Sequence, residues 1–188
     1  MKYITVLGLD PSLSNLGAFK AKLCINDEGE VVDLIPLELS LTKTEKTKNK
    51  QVRVNSDDVS RCRLLHKGLK SILTEDVELV FVELPVGSQS ARSMASYGAC
   101  ISLIASIDKQ PVIQLRPEEL KVAACNKKTA SKKEMIDWAV SHYPDENWVK
   151  SRSGSIHGDN EHIADALAAI VAGVATHEFK TLLLALTK

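Results

Sequence analysis

Four side chains in this 188-residue sequence have the types and positions needed for metal chemistry. Asp10 follows the first strand-like segment, Glu83 follows a later apolar segment, and His162 and Asp165 lie at the start of an alanine-rich helix. His162 and Asp165 are three residues apart, so they share one helical face. If the two strand ends are adjacent in one sheet and the helix packs across them, the four side chains meet at one edge.

Asp165 is the most informative of these residues. It is flanked by Ala164, Ala166 and Leu167, and an unpaired carboxylate buried among apolar residues is costly. A metal ion would offset that cost. The others have ordinary alternatives, because a carboxylate after a strand is usually a solvated turn residue and acids or histidines at a helix start often cap the helix or face solvent. The prediction therefore rests on the set of four.

Three carboxylates and one imidazole suit two divalent cations. Mg²⁺ and Mn²⁺ favour carboxylate oxygen, and an imidazole ligand tilts a site toward Mn²⁺. Two such ions about 3.5 to 4 Å apart can activate water and stabilise the leaving oxygen in phosphodiester hydrolysis. This reaction needs no nucleophilic side chain. The pattern therefore predicts phosphodiester hydrolysis with two Mg²⁺ or Mn²⁺ ions per active site.

Asp10 should be positioned by the first strands of the sheet and the turns between them. Residues 3–9, 18–25 and 31–41 are rich in β-branched and aliphatic side chains, which is typical of strands. The first is followed by the turn-forming segment P-S-L-S-N-L-G at 11–17, and the other two are joined by N-D-E-G at 26–29. We expect these three strands to form an antiparallel meander.

The rest of the chain alternates between predicted helices and strands. Ser56, Asp57 and Asp58 provide start signals for a helix whose apolar residues recur at helical spacing up to Ile72. Strands are also predicted at 77–82 and 111–115, helices at 91–108 and 132–142, a polar loop at 143–160, and a helix from 161 with a helical tail. The continuous apolar run before Glu83 is typical of a buried parallel strand. We predict one α/β domain over residues 1–188, with a mixed sheet and helices on its faces.

The formal net charge is zero, so the chain as a whole has no excess of positive charge to attract nucleic acid. Two segments are nevertheless basic, with five basic residues against one acid at 42–55 and six against two at 113–133. Such segments are either solvated loops or phosphate contacts. The candidate DNA contacts are Lys43, Lys46, Lys48, Lys50, Arg53, Arg92, Lys121, Lys128, Lys132 and Lys133.

Cysteine usage and hydropathy indicate a reducing compartment. The four cysteines lie far apart in apolar segments without a C-x-x-C pair, so we expect buried free thiols at Cys24, Cys62, Cys100 and Cys125. The N-terminal segment M-K-Y-I-T-V-L-G-L-D is strand-like rather than a signal peptide, and no segment reaches the roughly 18 apolar residues of a membrane span. We expect a cytoplasmic protein with no membrane partner.

The order of the motifs resembles that of the RuvC-type Holliday junction resolvases. V-L-G-L-D-P-S-L-S-N-L-G-A resembles the family's first acidic strand and its D-P-G-x-x-x-x-G turn, and V-F-V-E-L-P resembles its second strand ending in Glu. E-H-I-A-D-A-L-A-A-I resembles the closing D-x-x-D-A-L-A helix. The similarity runs from residue 4 to about residue 175. It implies a ribonuclease H-like fold, with three antiparallel and two parallel strands flanked by helices.

The resemblance also implies an activity and a set of catalytic residues. E-L-K at 119–121 and A-S-K-K-E at 130–134 match the family's two functional lysine positions, with Lys133 as the alternative register to Lys132. The implied protein is a homodimeric, metal-dependent endonuclease that resolves four-way DNA junctions by paired cuts, in a bacterial cell or a phage-infected host. Apolar residues on more than one face of the 91–108 helix agree with self-association. The implied metal ligands are Asp10, Glu83, His162 and Asp165, and the further catalytic residues are Lys121 and Lys132.

Three departures indicate a divergent, phage-type member of that family. Ser12 replaces the usual first-loop glycine, which should alter the turn but leave Asp10 in place. The segment 84–92 lacks the aromatic residue that some relatives insert at the junction centre. The segment 43–53 is longer and more basic than the resemblance leads us to expect, which suggests an additional DNA contact.

Three alternatives remain open on sequence alone. The first is another nuclease of the same fold, acting on flaps, forks or RNA–DNA hybrids. The second is a catalytically silent junction-binding protein, which the intact acidic set disfavours. The third is an ATP-binding protein of the actin and sugar-kinase class, disfavoured by the short chain, by Ser12 and by the lack of a second Asp-Gly phosphate loop.

Overall fold

A computed structural model describes residues 1–84 and 90–186. Five strands form one sheet in the order β3-β2-β1-β4-β5. The strands are β1 (Lys2–Pro11), β2 (Asn15–Ile25), β3 (Val31–Lys43), β4 (Leu79–Glu83) and β5 (Val112–Leu115). The helices are α1 (Val54–Ile72), α2 (Ala91–Ala105), α3 (Pro117–Cys125), α4 (Lys132–His142), α5 (Asn160–Val174) and α6 (His177–Leu186).

The predicted mixed sheet is confirmed. The first three strands form an antiparallel meander, while β4 pairs parallel to β1 and β5 pairs parallel to β4. The turn between β2 and β3 is closed by Asn26, whose N–H donates to the Glu30 carbonyl at 3.0 Å, and Gly29 adopts a φ of 78° within it. That left-handed conformation is one that glycine adopts without steric cost.

Both faces of β4 are covered, which accounts for its continuous apolar run. Leu79 and Phe81 pack into the core beneath α5, whereas Val80 and Val82 pack into the core beneath α1 and α2. All four side chains are fully buried. A strand buried on both faces has no polar alternation in its sequence, as the sequence predicted for this segment.

Two glycines allow α5 to lie directly on the sheet. A Cβ atom at Gly8 would lie 2.0 Å from the Ala166 carbonyl oxygen, and one at Gly17 would lie 2.1 Å from the His162 carbonyl oxygen. Gly17 is also the register partner of Asp10. The close approach therefore sets the first turns of α5 beside the end of β1.

The prediction that Gly17 belongs to the turn after Asp10 was wrong. The turn comprises residues 12–15, and Gly17 lies within β2. Ser12 closes the turn with its own side chain, because its hydroxyl accepts the Asn15 N–H at 2.9 Å and donates to the Asn15 carbonyl at 3.0 Å. A serine hydroxyl thus stabilises the turn at the position where glycine was expected.

The structure differs from the prediction at the start of α1 and in containing α3. Helix α1 begins at Val54 after Arg53, not at Ser56, and Asp57 is buried and accepts the Thr47 N–H at 3.1 Å. Helix α3 was not predicted. Its start signal is Pro117 in the first turn, preceded by Arg116, whose N–H donates to the Glu119 side chain at 2.7 Å.

The cysteines are free, but only two of them are buried. Cys24 and Cys100 are buried, whereas Cys62 and Cys125 are half-buried, which corrects the expectation of four buried thiols. Over the described ranges, no single helix has the length and apolarity of a membrane span. Helices α5 and α6 have that length and apolarity only when taken together, and the two are bent by 75° relative to each other.

Candidate active site

The four predicted residues come together where β1 and β4 end. Leu9 of β1 pairs with Val82 of β4 in parallel register, so Asp10 and Glu83 follow at the same edge of the sheet. Helix α5 packs across both strands and brings His162 and Asp165 to this edge. The juxtaposition expected from the sequence is therefore present.

Asp10 and His162 form a hydrogen bond, and Asn15 extends it. His162 Nδ1 lies 2.5 Å from Asp10 Oδ2, and Asn15 Nδ2 lies 3.0 Å from His162 Nε2. With the amide nitrogen donating to Nε2, the ring proton is on Nδ1 and is donated to Asp10. Among the described residues Asn15 Oδ1 is buried without a partner, and turning the amide would let that oxygen accept from a protonated Nε2.

The pKa of His162 reflects its position beside Asp10. Burial lowers the pKa, but the hydrogen bond to Asp10, reinforced by the negative charge of that carboxylate, outweighs burial and raises it. The contact with Asp10 therefore favours the protonated imidazole, whose Nε2 hydrogen Asn15 accepts with its amide turned. Both ring nitrogens are engaged, so direct metal ligation by His162 requires one of these hydrogen bonds to break.

Glu83 and Asp165 are held in surroundings that disfavour their ionised forms. Burial raises the pKa of Glu83 to about 8, with the charge of Asp10 adding to the effect and that of Lys121 opposing it. Burial likewise raises the pKa of Asp165 to about 8, and Asp10 and Glu83 reinforce the shift. Within the described part of the chain, neither carboxylate takes part in a hydrogen bond. The positive charges nearby, of Lys121 beside Glu83 and His162 beside Asp165, are outweighed by burial.

The donor set fits a divalent cation, although the side chains are not arranged as ligands in this structure. Across the described residues, no three or more His, Cys, Asp or Glu side chains form a group that could hold a metal ion as they stand. Asp10 is bound to His162, while Glu83 and Asp165 are partly buried and repel each other. A cation bound among these carboxylates would remove the repulsion between them.

Two lysines lie beside the acids. Lys121 is half-buried and close enough to Glu83 to lower its pKa, and Lys132 Nζ lies 2.8 Å from Glu161 Oε2. Lys133 points elsewhere, because it pairs with Asp137 on its own helix. The structure thus places Lys132 rather than Lys133 at the site.

Two residues of the site were not predicted. Glu161 raises the pKa of Asp165 and binds Lys132; its position four residues before Asp165, on the same helical face, was the signal in the sequence. Asn15 is 147 residues from His162 in the sequence, and no local pattern indicated that contact.

The predicted DNA contacts fall into two groups. Lys46, Lys48, Lys50 and Arg53 are exposed in the basic segment, which we define as residues 43–53. The others have acidic neighbours. Lys43 Nζ lies 2.5 Å from Asp159 Oδ2, Lys128 Nζ lies 3.9 Å from Glu118 Oε2, and Arg92 binds Asp58 through both terminal nitrogens at 2.5 and 2.7 Å. The prediction about a missing aromatic residue concerned the segment 84–92. Residues 85–89 of that segment lie outside the described residues.

A buried polar network holds the basic segment against the turn after Asp10. Thr44 donates its hydroxyl hydrogen to the Leu13 carbonyl at 2.6 Å, and Arg61 of α1 donates to Thr44, Leu13 and Ser14 at 3.0 to 3.2 Å. Arg61 and Thr44 are each only 6% exposed. The segment is thereby attached to the same turn that follows Asp10.

The sheet order, the central α5 and the acidic edge define a ribonuclease H-like fold. RuvC from Thermus thermophilus has this fold, with a TM-score of 0.58 and 20% identity over 95% of this chain and 96% of that chain. The same protein in complex with a Holliday junction substrate gives a TM-score of 0.58 and 19% identity over 90% and 92% of the two chains.

A yeast mitochondrial Holliday junction resolvase, Ydc2, is also similar, with a TM-score of 0.57 and 12% identity over 95% of this chain and 79% of that chain. No protein-family model matches the sequence, and no curated protein matches it. At these identities, the likeness establishes the fold, which is that of the RuvC-type resolvases.

Proposed function

We propose that this protein is a metal-dependent endonuclease that cuts branched DNA, with the four-way junction as its preferred substrate. The observation that carries the proposal is the gathering of Asp10, Glu83 and Asp165 at one sheet edge, where two of them have a pKa raised to about 8. Carboxylates kept in such an arrangement are costly to the folded protein unless a cation binds them.

When bound, two Mg²⁺ or Mn²⁺ ions supply an activated water and stabilise the leaving oxygen of the phosphodiester. Asp10, Glu83 and Asp165 would hold the ions, and His162 would orient Asp10 or become a ligand after releasing Asn15. Lys121 and Lys132 lie beside these acids and would bind the phosphate to be cut. Lys132 must then exchange Glu161 for the phosphate.

The choice of a junction rests on two supports. The first is the fold, which this chain shares with RuvC and with Ydc2. One of the RuvC structures contains a Holliday junction substrate. The second is the basic segment attached beside the turn after Asp10. A homodimer would supply the two symmetric cuts that a four-way junction needs, and the half-exposed Tyr97 and Ile101 of α2 are candidate contacts between its subunits.

The test is cleavage of a labelled synthetic four-way junction, compared with a linear duplex and a flap, in Mg²⁺ or Mn²⁺. We expect paired symmetric nicks on the junction, and no nicks with Asp165→Asn or in EDTA. Asp10→Asn should likewise abolish cleavage and retain junction binding.

Each other result points to a different function. Junction binding by the wild type without cutting would indicate a silent junction-binding protein. Preference for the flap would indicate another nuclease of the same fold. Unchanged cleavage by Asp10→Asn would contradict the assignment of the metal site.

A further inference from the structure

A small exposed hairpin stands between α4 and α5. We call residues 149–157 the serine hairpin. Lys150 and Ile156 form an antiparallel bridge, and the Ser151 N–H donates to the Ser155 carbonyl at 2.8 Å. Gly154 has a φ of 85°, and its N–H donates to the Ser151 carbonyl at 3.0 Å. The segment that the sequence predicted as a polar loop thus contains an ordered turn.

The base of the serine hairpin is fixed to the first residue of α5. Asn160 is fully buried, and its side-chain oxygen accepts the Val149 N–H at 2.9 Å. Its amide nitrogen lies 2.8 Å from both the Val149 and His157 carbonyl oxygens. Trp148 is 4% exposed and donates to the Tyr143 carbonyl at 2.7 Å. The hairpin is therefore anchored to the helix that carries His162 and Asp165.

The serine hairpin carries basic side chains that are exposed to solvent. Residues 147–158 include Lys150 and Arg152 but no acid. Both side chains belong to exposed residues, and in the described ranges neither forms an ion pair. Lys43 and Lys132 differ in this respect, since each is bound to an acid near the site.

The serine hairpin and the basic segment meet at Asp159. The carboxylate of Asp159 binds Lys43, the first residue of the basic segment. The backbone N–H of Asp159 donates to His157 Nδ1 at 3.1 Å. Glu161, two residues further on, binds Lys132 of α4. Basic groups from three parts of the chain therefore surround the first turn of α5.

We propose that the serine hairpin binds the DNA backbone, with Lys150 and Arg152 contacting phosphates next to the phosphodiester that is cut. The inference rests on the proposed function for its substrate. DNA is the partner because the free charges are cationic and lie at the end of α5 that bears the candidate active site. The serine hydroxyls at the tip are further donors for phosphate oxygens.

The test is the salt dependence of binding by the full chain carrying Lys150→Ala and Arg152→Ala. Binding to a labelled four-way junction is measured by fluorescence anisotropy in EDTA over a range of salt concentrations. At about 0.1 M salt we expect binding weaker by on the order of tenfold, and a slope of log K against log salt smaller by about two. Because both residues are exposed, the thermal unfolding midpoint should remain that of the wild type.

A matched control removes two charges from the opposite edge of the sheet. Lys70 and Lys109 are exposed and precede β4 and β5, so Lys70→Ala with Lys109→Ala should leave the affinity and the slope unchanged. If the hairpin variant binds like this control, the proposal is overturned. Phosphate ethylation interference gives the position of the contact. The phosphates whose ethylation weakens binding of the wild type but not of the hairpin variant should lie within about half a helical turn, roughly five base pairs, of the cleaved bond.

The two proposals fail in different ways. A wild type that binds the junction but cuts no substrate overturns the proposed nuclease, while a reduced salt slope in the hairpin variant still supports the DNA contact. A wild type that cuts the junction, with an unchanged salt slope in the variant, overturns the hairpin contact alone.

Discussion

His162 Nδ1 lies 2.5 Å from Asp10 Oδ2, which joins residues that are 152 positions apart in the sequence. This hydrogen bond determines where the Asp10 carboxylate points. It also keeps a proton on Nδ1, whichever atom of the Asn15 amide faces the other ring nitrogen. Under the proposed function, His162 would either orient Asp10 toward a metal ion or exchange Asn15 for that ion.

The first prediction concerns this contact. His162→Ala should weaken Mn²⁺ binding by about 10- to 100-fold, since the loss of a group that orients a ligand has effects of that size. Isothermal titration calorimetry with Mn²⁺ measures the change. Asn15→Ala is the matched variant, because it keeps the bond between His162 and Asp10, and its effect should be smaller. Equal Mn²⁺ affinity in His162→Ala and wild type would show that His162 neither binds the metal ion nor orients its ligands.

The second prediction concerns pH and the metal-free protein. The folded-state pKa of Asp165 is raised from 3.8 to about 8 by burial, so ionisation of Asp165 destabilises the fold. The stability associated with its neutral form is complete below about pH 4 and is lost as the pH rises through about 8. Urea unfolding in EDTA should therefore give a lower free energy of unfolding at pH 8 than at pH 5. Asp165→Asn should reduce that loss.

Two comparisons test the cause of this pH dependence. Asp145→Asn, at an exposed loop position, should unfold with the same pH dependence as the wild type. Mg²⁺ or Mn²⁺ should raise the unfolding midpoint of the wild type, and should do so more at pH 8 than at pH 5, because metal ligands bind deprotonated. A wild-type stability that does not change between these pH values would contradict the burial argument.

The third prediction concerns the contact between α5 and the sheet. Gly17→Ala places a Cβ atom 2.1 Å from the His162 carbonyl oxygen, so the helix or the strand must move. We expect the free energy of unfolding to fall by about 1–3 kcal/mol and metal binding to weaken, because the move separates His162 from Asp10. Urea unfolding and Mn²⁺ titration provide the two measurements.

Gly98→Ala is the control for this substitution. Gly98 lies within α2 with open space around its Cα, so alanine should stabilise the protein by about 0.5–1 kcal/mol through helix propensity. A Gly17→Ala variant as stable as the wild type would mean that the sheet accommodates the methyl group without displacing α5.

The sequence was informative where a local pattern determines the structure. Helix α4 was predicted with its observed bounds, and in the structure Ser131 and Glu134 form a capping box at its start, a signal that the sequence itself contains. The buried β4 was predicted because it is apolar on both faces. Helix α3 was missed because its nine residues are few for a periodicity argument, although Pro117 indicated its start.

The candidate site was predictable only as a set of residues at one sheet edge. The bond between Asp10 and His162 depends on how closely α5 approaches β2, and that distance is set by Gly8 and Gly17, which no local pattern assigns to a helix contact. The environment of Asp165 followed from its apolar neighbours. The role of Asn15 depends on a contact across 147 residues, which no periodicity reveals.

The order in which the chain is made has a consequence for when the site can exist. Helix α5 lies on β1 and β2, which are synthesised long before it, yet it supplies His162 and Asp165 only after residue 160. A nascent chain interrupted before that point carries Asp10 and Glu83 without the helix that completes the set. If the protein cuts DNA as proposed, a translation product that ends before α5 should be inert, because it lacks two of the four side chains of the candidate site.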